Sequence, residues 1–309
     1  MSPAVATATL RVASSFALRL DGPGGSTTGL VSGASGGVFT ADVIQHQSGS
    51  DPFPRKMLGK PRYEDIEVEV GAAMPASLFD WIAASWGASP PSMDGAVLGF
   101  DSTFTLRREQ GFTDALIAEM AFPALDAASK QIGRIGVRIT PRELLPPATP
   151  SPGTKLNLPL GKSPHKAWQV AAFKLELDGL PTSHVVGIDA FAVRRTIEIS
   201  QGQGSTIKPG RIAIPNLRVW LAASAADDWH AWHKHFLIDG HNTDADEKEG
   251  AIVLLAPNLS PIATIELHGV GIFRIAIAPK DADGGPGSTV QRVVADLYCE
   301  RMSLLAGGA

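Results

Sequence analysis

The chain has 309 residues, 44% apolar and 19% charged, with a net charge of −4 and a pI near 6.1. That length fits one large domain or two of ordinary size, with enough apolar residues to bury a core. The acidic balance argues against a protein that coats nucleic acid, which needs a basic face, and a single cysteine excludes an internal disulfide and suits a reducing compartment.

Polar residues break up the opening run ATATLRVASSFALRL (residues 6–20). No charged n-region followed by a continuous apolar stretch is present, so no secretory signal is expected. The longest apolar run, AIVLLA at residues 251–256, is far short of the ~20 residues that span a bilayer.

In chain order, SSFALRLDG (residues 14–22) reads as a first strand ending in a turn. Gly33-Ala34-Ser35-Gly36-Gly37 formally matches a nucleophile elbow. That chemistry needs a helix after the serine, whereas residues 38–43 read as a strand, so the glycines are expected to supply turn positions. A Pro/Gly/basic loop, FPRKMLGKPRY (residues 53–63), leads into strict alternation. Ile66, Val68 and Val70 face one way, Glu67 and Glu69 the other, as in a half-buried antiparallel strand. A helix is expected around Leu78-Phe79-Asp80-Trp81-Ile82, with Pro75 near its start and Gly87 after its last turn. Closing strands follow, including ALDAASKQIGRIGVRITPREL (residues 124–144).

The pattern then repeats. AAFKLELDG (residues 171–179) matches the opening strand 157 positions on, with Phe16 on Phe173 and Asp21-Gly22 on Asp178-Gly179. Ile66 and Val68 match Leu217 and Val219, and Trp81 matches Trp232, all 151 positions on. The sequence therefore predicts a mainly β protein. Two tandem antiparallel β-barrel or rolled-sandwich domains, residues 1–145 and 168–309, each carry one outer helix. A semi-rigid Pro-rich linker over residues 146–167, with PPATPSPG inside it, joins them. In the second copy VRRTIEIS (residues 193–200) alternates as a strand. Ser224 is a candidate cap for the second helix, with Asp227 and Asp228 in its first turn and a core stripe of Trp229, Trp232, His233 and Phe236.

Candidate chemical sites are few. His230, His233, His235 and His241 lie near Asp227, Asp228 and Asp239. Two helical histidines one turn apart are a possible start to a zinc site, but His233 belongs to the apolar stripe. The plainer reading is one packed histidine and a solvated polar face. Asp244, Asp246, Glu247 and Glu249 make an acidic loop without EF-hand spacing. Cys299 lies in phase with Val293, Ala295 and Leu297 and is expected to be a buried thiol. No P-loop, dinucleotide fingerprint or carboxylate pair is found, so no catalytic, cofactor or metal residue is assigned.

The run "Pro-Arg-Lys, Gly, Lys, Tyr, alternating strand, Leu-x-x-Trp" from Pro54 to Trp81, with the opening strand and residues 124–144, resembles the tube proteins of contractile phage tails and phage-derived contractile injection systems. The resemblance covers nearly all of residues 12–145. It implies a structural subunit, not an enzyme, that forms rings stacked into a hollow tube, with hairpin strands joined between neighbours. Other tube, sheath or baseplate subunits are the implied partners; no membrane, cofactor or specific nucleic-acid site is implied. The tail of a virion, or a tail-like particle assembled in the cytoplasm, is the implied location. Carried over by position, Arg55, Lys56, Lys60 and Tyr63 are oligomer-interface residues. The second copy lacks the Pro-Arg-Lys run. A fused pair suggests a pseudo-hexamer of three chains, or a ring that initiates or terminates a tube. The competing reading is a carbohydrate- or host-binding β-module using Trp81, Trp86, Trp220, Trp229 and Trp232 as stacking platforms.

Overall fold

The computed structural model describes residues 15–22, 25–47, 53–71, 74–156, 168–200, 206–278 and 291–307. Within them the chain is mainly β, with two helices.

The first half opens with β1 (Ser15–Gly22), β2 (Gly25–Val31) and β3 (Gly33–Gly36). A hairpin of β4 (Phe39–His46) and β5 (Arg55–Tyr63) leads into β6 (Ile66–Val70). In β6 the expected alternation is realised: Ile66, Val68 and Val70 are buried and the two glutamates are exposed. Helix α1 (Ala76–Ser85) starts after Pro75, buries Leu78, Phe79, Trp81 and Ile82, and stops where the Gly87 N–H donates to Ala84 O. It is followed by β7 (Met93–Phe100), β8 (Leu106–Phe122), β9 (Leu125–Asp126), β10 (Ile135–Thr140) and β11 (Glu143–Leu144). These build an antiparallel sheet in the order β2-β1-β7-β8-β10-β6-β3.

The second half runs β12 (Phe173–Leu177), β13 (Val185–Ile188), β14 (Phe191–Ser200), β15 (Thr206–Ala213) and β16 (Leu217–Ala222). Helix α2 (Asp227–His233) continues as a π turn (Lys234–Ile238), and β17 (Lys248–Leu255), β18 (Pro261–Ile277) and β19 (Arg292–Ala306) close the fold. Their sheet has the order β12-β17-β18-β19-β16-β13-β9.

The halves match beyond their sequence signals. The long strands β8 and β18 each have 17 residues. Asp114 and Gly269, at the same position of each, both have positive φ, 45° and 63°. Each marks a register shift, where the partner pairing jumps from Phe112 to Ala115 and from Leu267 to Val270. Gly95 and Gly250 face those shifts, and at both a side chain would collide with the neighbouring strand's carbonyl, Arg19 O or Glu176 O.

Neither sheet is made of its own half alone. The β14–β15 hairpin joins the first-half sheet through β8, and β9 joins the second-half sheet through β13. A single apolar core runs through both, from Leu18 and Trp81 to Trp229 and Leu297. Two local expectations are corrected. The basic run of residues 53–63 is not a loop but largely β5, because an edge hairpin tolerates Pro61 and absorbs the irregularity as a bulge at Ala41/Val43. Ser224 does not cap α2; it lies in a 3₁₀ turn (Ala223–Ala225), and Ala226 takes the N-cap position without a side-chain bond. Where it is described, the Pro-rich stretch bridges Glu109 of β8 at Ala148 and Thr105, just before β8, at Lys155; residues 157–167 of it lie outside the described residues.

Of the expected α2 stripe, Trp229, Trp232 and Phe236 are buried in a chain of edge-to-face ring contacts, whereas His233 is only half-buried. The Trp229 indole N–H also donates to Pro181 O at 3.0 Å. Trp229→Ala is expected to cost about 3–5 kcal/mol, whereas His230→Ala, on the exposed side, should stay within about 0.5 kcal/mol. Denaturant melts of the two variants check this; equal losses would contradict the packing.

Candidate assembly interface

The most developed polar and apolar constellation lies where β14 adds to β8. A 17-residue strand is longer than its partner: β7 covers β8 only as far as Ala115. Beyond it β14 takes over, with Phe191, Ala192, Val193 and Arg194 opposite Phe122, Ala121, Met120 and Glu119. Unpaired backbone groups favour this outcome, because a strand edge left bare exposes a row of donors and acceptors.

Inside the junction, Phe122 and Phe191 stack at 4.8 Å between centroids, and Trp86 meets Phe122 edge-on at 6.4 Å. On the outer face Glu119 receives Arg194 at 3.1 Å and Arg138 at 2.7 Å. Arg195 reaches back to the end of α1. Its guanidinium donates to Ser85 O at 3.0 Å, Gly87 O at 2.6 Å and, within its own hairpin, Gly210 O at 2.8 Å. A helix C-terminus leaves carbonyls without partners and carries partial negative charge, so a planar cation is well placed there. Glu119, Arg138, Arg194 and Arg195 carry no assignment from sequence. The legible signal was the sign reversal between the halves: Glu119–Arg138 on β8–β10 becomes Arg274–Asp296 on β18–β19, at 2.8 Å.

The β4–β5 hairpin corresponds to β14–β15. Both carry a bulge at the same place, Ala41/Val43 and Arg195/Ile197. Unlike its counterpart, among the described residues β4–β5 pairs with no other strand. The structure separates the four carried-over interface residues. Arg55 and Lys56 lie at the hairpin tip opposite His46 and Gln45, and Lys60 lies by the bulge. Tyr63 sits at the root opposite Phe39, their rings edge-to-face at 5.3 Å. All four are exposed. Nearby, Arg62 pairs with Asp42.

The other motifs resolve as structure. Ser35 lies in β3 beside Glu67, and the strand β4, not a helix, follows Gly36 and Gly37, which have positive φ. His235 and His241 stack at 4.3 Å, Lys234 pairs with Asp239, and burial, then His230, holds His233 below the usual imidazole range. Among the described residues no three metal-ligating side chains converge. Burial pushes the Cys299 thiol up to about 11, far from a reactive thiolate. Of the acidic loop, Asp246 holds Thr243 and Glu247 accepts from the Tyr298 hydroxyl. Trp81 and Trp229 are enclosed, with indole N–H groups on Pro91 O and Pro181 O, and Trp220 donates to Asp189. They form no open stacking platform.

Burial pushes the Glu119 carboxyl up, but the bonds from Arg194 and Arg138 outweigh it and hold the group below its usual range. A depressed folded-state pKa stabilises the fold above the unfolded value, about 4.3, and that contribution is lost as pH falls through the folded one. Glu119→Gln should therefore flatten the loss of stability below about pH 4 while lowering stability near neutrality. Melting curves across that range check the sign. Arg195→Ala, which leaves two helix-end carbonyls unpartnered, is expected to cost about 1–3 kcal/mol.

No family model and no curated protein matches the chain. Among solved structures it is similar to a chain of the sheath–tube complex of an extracellular contractile injection system, PVC, in its extended state, at 18% identity and a TM-score of 0.37, covering 44% of this chain and 88% of that one. It is also similar to a chain of the tube-terminating cap of the anti-feeding prophage, at 17% identity and 0.39, covering 48% of this chain and 97% of that one. The sheath/tube terminator of the PVC system gives 18% and 0.39, covering 47% of this chain and all of the other.

Proposed function

We propose that the chain is a structural subunit of a phage-tail-like tube, either of the shaft or of a ring that starts or ends it. In this reading it is a fused pair of tube-type domains, residues 1–145 and 168–309, that closes into a ring of three chains and six domains. The single observation that carries it is the strand exchange: the second-half hairpin completes the first-half sheet at Phe191–Arg194. A fold that covers an open edge by borrowing a hairpin from its own repeat has the means to do so with another copy. Repetition of one such contact by rotation closes a ring. The sequence resemblance of residues 12–145 supports the same reading.

The hairpin tip is the proposed contact between rings, with tube, sheath or baseplate subunits as the other partners. Val43, Ile44, Met57 and Leu58 are exposed there beside Arg55 and Lys56. Exposed pairs contribute about 0–1 kcal/mol each, but contacts repeated around a ring act together. No catalytic role is assigned. The enclosed tryptophans count against the sugar-binding alternative.

Native mass measurement and negative-stain imaging of the purified chain test the reading. Three-chain rings are expected; a stable monomer at high concentration overturns the ring, and a six-chain ring overturns the three-chain version. Arg55→Glu/Lys56→Glu/Lys60→Glu should leave rings intact and block stacking. Tubes of normal length from that variant would remove the tip from the interface.

A further inference from the structure

The internal junction has an unfilled counterpart. On β18, β17 covers the strand only as far as Val270, at the same position where β7 leaves β8. From Phe273 to Ile277, β19 lies on one side, and among the described residues no strand lies on the other. Two apolar side chains stand open there, Phe273 at 40% and Ile277 at 64% exposure. The turn after α2, which packs on β18, exposes Leu237 and Ile238. Ile277 stands where Phe122 is covered by Phe191 in the first half. The unpaired hairpin root is equally apolar, with Val38 and Phe39 exposed.

The directions of the backbone groups agree. The Ala278 N–H donates to Arg292 O across β19. By alternation Ile277 and Ile275 then turn their groups to the open edge. On the hairpin, Val38 O accepts from the Glu64 N–H, so Phe39 turns its groups away from β5. A register copied from the internal junction therefore meets outward groups with outward groups. A one-residue slip would not.

Resting on the tube-subunit reading, we propose that the root of the β4–β5 hairpin of one copy adds to the free edge of β18 in the next copy of the same chain. The register sets Val38, Phe39 and Thr40 opposite Ala276, Ile275 and Arg274. The occupant is a second copy because this chain carries both halves of the contact. Charge keeps the two seams distinct. Arg194 of the internal hairpin suits Glu119 but would face Arg274 on β18, a like-charge pair directly opposite. Thr40, the matching residue of β4, brings no charge to Arg274, which Asp296 already holds. Charge thus keeps the internal hairpin off β18, the β8 edge is already filled by β14, and chains join head to tail.

Disulfide trapping tests the register. Opposite residues of a non-hydrogen-bonded antiparallel pair are about 4.5 Å apart at Cα, within disulfide reach, and diagonal ones at about 7–8 Å are beyond it. The Val38→Cys/Ala276→Cys double variant is expected to oxidise into covalent multimers ending at the ring, at least about ten-fold faster than Thr40→Cys/Ala276→Cys. Rings that form without this cross-link, or equal rates for the two pairs, overturn the seam and leave the ring reading standing. Absence of any higher species from the wild-type chain at high concentration overturns both. Buried Cys299 remains as the native thiol in every variant.

Discussion

The structure depends on one constraint: a long strand needs a partner along its whole length. β8 is 17 residues long, whereas β7 has eight and leaves it after a register shift. Everything in the first-half sheet beyond Ala115 would otherwise end in open backbone groups on that side. The β14 strand fills the gap, and with it come the ring stack of Phe122 and Phe191 and the grip of Arg195 on the end of α1. Because the filling hairpin comes from the other half, the two halves share a core rather than meeting at a surface. The Pro-rich segment follows suit where it is described, bridging Glu109 of β8 at Ala148 and Thr105, just before β8, at Lys155.

The shift that creates the gap is built the same way twice. Asp114 and Gly269 adopt positive φ, and Gly95 and Gly250 let the neighbouring backbone approach too closely for any side chain. A β-bulge of this kind bends the strand and increases its twist, which turns the second part of each long strand away from its first partner. The opening for a hairpin is thus a consequence of local backbone geometry. What enters it is decided by side chains, and there the halves part company: acid at Glu119, base at Arg274.

Much of this was legible in residue pattern. The period-two run from Ile66 to Val70 and the helical stripe of Trp229, Trp232 and Phe236 report burial directly, because each side chain's environment repeats with the element's own period. Phe16 and Phe173 match in sequence and also lie at matching places of the two halves, opposite Gly99 and Leu254. Residues 53–63 look like a loop in sequence because Pro61, Gly59 and four cations hide a strand that is solvated on both faces and so has no burial period to display. Ser224 misled because a hydroxyl before two aspartates is a good cap in isolation, and the tertiary path of the chain placed it in a 3₁₀ turn. The pairing of Glu119 with Arg194, and of Arg195 with the end of α1, is invisible in a local pattern because the partners lie 75 and 110 positions apart. A long-range pair leaves no mark in a local pattern.

In the proposed ring, fusion of the halves would account for the different chemistry of the two kinds of edge. Arg195 and the Glu119 cluster are held at a junction that forms whenever the chain folds, so their desolvation is settled within one cooperative event, with the carbonyls and carboxylate already in place. Such polar contacts discriminate between partners, because a wrong one leaves half-buried charges and carbonyls unpaired. An edge that waits for another molecule has different needs. It must remain soluble while open and gain free energy on closing, which suits a few exposed apolar side chains with charged groups already paired, as Arg274 is to Asp296. Ile277, Phe273 and the β4 root have that character, and they expose little that would be left unsatisfied before closure. Linking alternate junctions covalently also halves the number of bimolecular contacts for a given number of domains, and it raises the effective concentration of the linked pair. In the proposed ring, a seam within each chain that adds the Glu119 and Arg195 contacts to the Phe122–Phe191 stack would alternate with an apolar seam between chains.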